Sequence, residues 1–139
     1  MGIISWGNRK LFEKEDDTFE HIFQNYHDGV LMLDDCKQYM KANTTQVPGL
    51  TDILIEYRHS MIDVFLVVHG PGQLPPKIWD HASGVIVMAT ARLLSKSDAG
   101  GIEAYDEIIA AQRRVNERYR QAVARNDGSE YGIHEYIQI

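Results

Sequence analysis

The stretch Ile78-Trp79-Asp80-His81-Ala82-Ser83-Gly84-Val85-Ile86-Val87-Met88-Ala89-Thr90-Ala91-Arg92-Leu93-Leu94 decides how the chain is read. Wound as a helix, it is apolar on nearly every side, and a helix of that kind belongs in a core. Pro75 and Pro76 suit a helix start, and Ala82, Gly84, Ala89 and Ala91 are small enough to let neighbouring backbones approach. These features predict a buried helix from about Pro76 to Lys96. The run Gly84 to Val87 also suits a strand, because a short apolar run has no period of its own to separate the two.

Upstream, Thr51 can cap a helix that runs to His69, where Gly70 and Pro71 stop it. The connector 70–76 is short, so residues 53–68 and 78–94 are expected to form a central antiparallel helical hairpin, with Leu54 and Ile86 in its core. Before it, Leu11, Phe12, Phe19, Ile22, Phe23 and Tyr26 recur at helical spacing, predicting a first helix that ends near Tyr26 to Gly29. A second, from Gly29 to Ala42, carries Val30, Leu31, Leu33, Tyr39 and Met40, and residues 43–49 read as a loop. A fifth helix is predicted over Ala99 to Arg125, capped by Ser97 or Asp98, with acids near its start and arginines near its end as the helix dipole favours. After it, residues 131–139 alternate isoleucine with polar side chains, as an extended tail or edge strand does. The expected fold class is all-α. One domain over residues 1–139 forms a bundle of about five helices, with residues 1–8 as an N-terminal arm and 127–139 as the C-terminal tail.

At 139 residues, 44% hydrophobic and 24% charged, the composition is that of a folded domain. A single cysteine, Cys36, excludes an intramolecular disulfide, and the N-terminus lacks the order of a secretory signal, so a soluble cytoplasmic protein is expected. The formal charge of -6 repels phosphate, which argues against nucleic acid as a partner.

The most suggestive chemical constellation is Asp52, Glu56, His59 and Asp63. On one continuous helix these share a face, and Glu56 and His59 have the Glu-x-x-His spacing of bundle metal sites. Glu56, His59 and Asp63 are therefore candidate metal ligands, with His21 or His81 completing the set. The bland alternative is a solvated helix face. Arg113, Arg114 and Arg118 are candidates for holding a small anion, set against a dipole-matched face containing an Arg113–Glu117 pair. Cys36 follows two acids that disfavour a thiolate, and His59 and Ser60, as helix neighbours, point apart. No catalytic residue is assigned and no cofactor is expected.

With a core but no catalytic set, the leading expectation is a non-enzymatic protein-interaction module: an adaptor, inhibitor, immunity protein or assembly factor. Its acidic surface, with Glu13, Asp16, Asp17, Glu20, Asp34 and Asp35 as candidate partner-binding residues, would meet a protein with a basic surface. Neither a membrane nor nucleic acid is an expected partner. The apolar fourth helix and the isoleucine-rich tail point to a homodimer.

Overall fold

In the computed structural model, which describes Ile22, residues 24–36 and residues 50–139, Gly84–Met88 is a strand and not the middle of a helix. Three consecutive β-branched residues, Val85, Ile86 and Val87, are stiff at χ1 and suit a pleated surface. Upstream, Pro76–His81 forms only a 3₁₀ turn, closed where the Ala82 N–H donates to the Trp79 carbonyl. The all-α expectation is therefore overturned. In chain order the elements are β1 (Gly29–Leu33), α1 (Leu50–Glu56), β2 (Ile62–Leu66), β3 (Gly84–Met88), α2 (Tyr105–Arg125) and β4 (His134–Gln138). Among the described residues, the four strands form two separate two-stranded sheets. Neither the five-helix bundle nor the central helical hairpin exists, because each segment expected to supply a hairpin helix contains a strand. The chain divides into two units, Met1–Val67 and Val68–Ile139.

In the first unit, β1 and β2 run parallel, Gly29 beside Ile62 through to Leu33 beside Leu66. Parallel strands need a long crossover, and α1 lies within it. The expected helix over 29–42 is thus a strand from Gly29 to Leu33. The expected helix from Thr51 to His69 stops at Glu56. Its chain then reverses tightly: His59 and Ser60 N–H groups donate to the Glu56 carbonyl, Ile62 N–H donates to Tyr57, and Met61 is left-handed at φ 53°. Beyond the turn, Ile62, Val64 and Leu66 alternate inward with Asp63 and Phe65 outward, the two-residue period of a strand. Ile53 and Leu54 of α1 are buried, as are Leu31, Leu33 and Ile62.

In the second unit, β3 and β4 pair antiparallel, from Gly84 beside Gln138 to Met88 beside His134, and α2 packs on one face of that sheet. Val87 and Ile137 from the sheet join Ile108, Ala111 and Val115 from the helix, with Trp79, Leu94 and Ala99, in one buried cluster. The helical positions recur at three- and four-residue intervals, placing them on one side of α2. Two amides on that side fasten the loop after β3. Gln112 Oε1 accepts the buried Leu94 N–H at 2.9 Å, while the Asn116 carboxamide accepts Thr90 N–H and donates to Thr90 O, both at 2.9 Å.

Helix α2 begins at Tyr105, six residues later than expected. Ser95, Ser97 and Asp98 bind one another in a turn, with Ser95 Oγ donating to Asp98 Oδ2 at 2.6 Å, and Gly100 and Gly101 follow with positive φ. Gly100 is required twice over, since at φ 62° its Cβ would stand 2.7 Å from the Pro76 carbonyl oxygen. The helix ends at Arg125, where left-handed Asn126 donates its N–H to the Ala122 and Val123 carbonyls. Among the described residues, no helix is long and apolar enough to cross a membrane.

Candidate functional site

Strand geometry sorts the side chains of the β3–β4 sheet onto two faces. Val85, Val87, Glu135 and Ile137 turn toward α2, leaving Gly84, Ile86, Met88, His134, Tyr136 and Gln138 on the other. That outer face carries no carboxylate and no lysine or arginine. Ile86, Met88 and Tyr136 stand 52, 61 and 62% exposed, high values for large apolar side chains directed away from a core. Ile86 lies opposite Tyr136, the aromatic–β-branched pairing that stabilises antiparallel strands. Gly84 makes the space for the Tyr136 ring, which lies over it where a Cβ would otherwise sit.

The inner side is anchored electrostatically at the β4 margin. Arg114 Nη2 meets Glu135 Oε2 at 2.7 Å, its Nε reaches both carboxylate oxygens at 3.2 Å, and Arg118 Nη1 lies 3.6 Å from Oε1. The Arg114 hydrogen bonds hold the Glu135 carboxyl below its ordinary range, with the Arg118 charge adding to the effect. Two of the three arginines expected to hold an anion are thus engaged by a carboxylate of this chain, while Arg113 lies exposed. Glu117 bonds Arg120 at 2.7 Å and Gln121 at 3.0 Å in place of the expected Arg113 partner.

The candidate metal ligands fall on three kinds of element. Glu56 ends α1, His59 lies in the turn and Asp63 points outward from β2, so the shared helix face that motivated the set is not formed. Among the described residues, no group of three or more histidine, cysteine or acidic side chains is placed to hold a metal ion. Glu13, Asp16, Asp17, Glu20 and His21 lie outside the described residues, and His81 is exposed at the end of its 3₁₀ turn. Asp34 and Asp35 follow β1, where Asp34 Oδ1 accepts the Asp35 N–H at 2.9 Å. Cys36 is buried and its Sγ donates to the Leu33 carbonyl.

A second apolar face lies on the parallel sheet, where Val30, Met32 and Phe65 are exposed beside Asp63. Parallel sheets are ordinarily covered on both faces, so this exposure too is uncommon. Neither sheet face follows from the sequence reading, in which residues 29–33, 62–66 and 84–88 are helical and only the tail at 131–139 is an extended segment or edge strand. The local signal was the β-branched run at 85–87 and the inward–outward alternation of residues 62–66. No protein-family model, curated protein or solved structure matches the chain.

Proposed function

We propose that this protein is a non-enzymatic protein-interaction module, and that the outer face of the β3–β4 sheet is its binding surface. One observation carries the reading: Ile86, Met88 and Tyr136 form an exposed, uncharged strip on a two-stranded sheet backed by α2. Exposed apolar side chains scattered singly need no explanation, whereas contiguous ones mark contact sites. Aromatic and methionine side chains are also enriched where protein surfaces meet. The strip differs from the acidic surface expected of a chain with charge -6, and it selects an apolar partner surface before a basic one. The acids elsewhere on the chain would then govern approach more than affinity.

The test is affinity capture from the native host with the whole chain and with Ile86→Lys, after circular dichroism has shown that both fold alike. A protein held by the first and lost by the second supports the reading, whether it is another protein or this chain. Identical retained sets would defeat it.

A further inference from the structure

We infer that the partner seated on β4 is a second copy of this chain, joined strand to strand so that two β3–β4 sheets become one four-stranded antiparallel sheet. This rests on the reading of the sheet as an interaction surface and names the occupant of its β4 edge, the outer face staying open.

The argument begins with the direction of backbone groups. Ile139 donates its N–H to the Ser83 carbonyl at 3.1 Å, so residue 139 faces β3. Backbone direction alternates along a strand. Ile137 and Glu135 therefore also face β3, while the N–H and C=O groups of His134, Tyr136 and Gln138 point to the opposite edge. Among the described residues, no backbone hydrogen bond is formed at that edge. The equivalent edge of β3 is closed at one end, because the Asn116 carboxamide takes both the N–H and the C=O of Thr90, two residues beyond Met88. Among the described residues β4 has no such cover, and it includes neither the proline nor the lysine with which edge strands are commonly blunted.

The β4 edge is self-complementary. Turned about a two-fold axis at Tyr136, it sets His134 against Gln138 of the copy and Tyr136 against Tyr136, each pair exchanging both N–H···O bonds. No formal charge opposes its like in these pairs. That matters for a chain of charge -6, whose copies repel wherever acids meet. On the inner side, each Glu135 carboxylate is already held by Arg114 and Arg118. The pairing also extends the apolar strip, since the Ile86–Tyr136 pair of one copy continues directly into that of the other. A partner of different sequence would satisfy the backbone equally well, but the matched outward residues and the uncharged face single out a copy.

Sedimentation or light scattering on the full chain, from micromolar to submillimolar concentration, reads the result. The wild type is expected to approach twice the chain mass. Tyr136→Lys and Tyr136→Glu, which place like charges together at the axis, should each halve that mass, and an equimolar mixture of the two should restore it. Gln138→Pro removes an outward N–H without touching the β3 ladder, and it should also give the single-chain mass. Should either charged variant lose its native circular dichroism, Gln138→Pro decides alone. A wild type of single-chain mass throughout overturns self-pairing, as does a dimer that survives these substitutions. If the chain stays single while capture still yields a different protein lost on Ile86→Lys, self-pairing fails and the interaction surface stands.

Discussion

Gln112 provides the sharpest test of how the second unit is held together. It is a polar residue only 5% exposed on the core side of α2, and its Oε1 accepts the buried N–H of Leu94 at 2.9 Å. Gln112→Met keeps an unbranched side chain of similar length but offers only a weak thioether acceptor, so the Leu94 amide remains buried without a proper partner. Stranding such a donor costs about 1–3 kcal/mol. Gln112→Ala strands the same donor and also removes buried methylene, adding roughly 1 kcal/mol. Gln112→Glu keeps an acceptor but buries a carboxyl, whose pKa burial raises above the unfolded value. Between those two values the native state binds more protons than the unfolded one, so this variant should be most stable in acid and weaken as pH rises through the raised pKa. Urea unfolding followed by far-ultraviolet circular dichroism measures all three, with amide exchange at Leu94 as the local readout. A Gln112→Met protein within about 0.5 kcal/mol of wild type, with its Leu94 amide still protected, would refute the role given to this carboxamide.

Asn116→Ala should lose the two bonds to Thr90, at about 0.5–1.5 kcal/mol each, and speed exchange of the Thr90 amide; unchanged exchange would show that the loop is held by other contacts. Glu135 has a depressed pKa, so its contribution is present above the ordinary carboxylate range near pH ~4 and lost as pH falls through the lower native value. Arg114→Gln should bring the Glu135 titration back up toward that range in a carboxyl NMR titration, and no upward movement would count against the Arg114 contact as its cause. Ile137→Ala should cost about 2–5 kcal/mol because the side chain is buried against α2. In dilute protein Ile86→Ala should fall within about 0.5 kcal/mol of wild type, being a surface substitution. Greater destabilisation by Ile86→Ala than by Ile137→Ala would mean that the face assignment of β3 and β4 is inverted.

The parts of the fold that could be read ahead of the structure are those whose evidence lies within a few residues. Helix α2 repeats its apolar positions over several turns, and its end at Asn126 follows from a residue that tolerates left-handed backbone. Its start could not be placed, because Ser97 and Asp98 are good caps by type but bind Ser95 instead. Strand β4 lies within the tail whose alternation predicts an extended segment or edge strand, whereas β1, β2 and β3 are five residues each, too short for a two-residue period to outweigh a helical one. Their stabilising partners are also remote: Gly84 pairs with Gln138, and Gly29 with Ile62 across a crossover. Non-local pairing of this kind is tertiary information, and it overrides local preference.

The candidate surface was hidden for a related reason. The polarity of Ile86, Met88 and Tyr136 is written in the chain, but whether those side chains enter the core or leave it depends on the pairing register alone. A slip of one residue would bury Ile86 and expose Val87. In a helix over 76–96 Ile86 and Met88 belong to the core, and Tyr136 belongs to an extended tail, so the acids, visible without any register, stand out as the surface instead. Once β3 is paired with β4, Val85, Val87 and Ile137 satisfy α2, and the apolar side chains left over have no buried place in their own unit. The apolar content that suggested a buried helix instead supplies both faces of a thin sheet, one against the helix and one turned outward. The outer face and the outward backbone of β4 belong to the same residues, His134, Tyr136 and Gln138. Substitutions at Tyr136 therefore probe both at once, whereas Gln138→Pro acts on the backbone edge with the apolar strip intact. Comparing the two separates an interface held by side chains from one held by strand pairing.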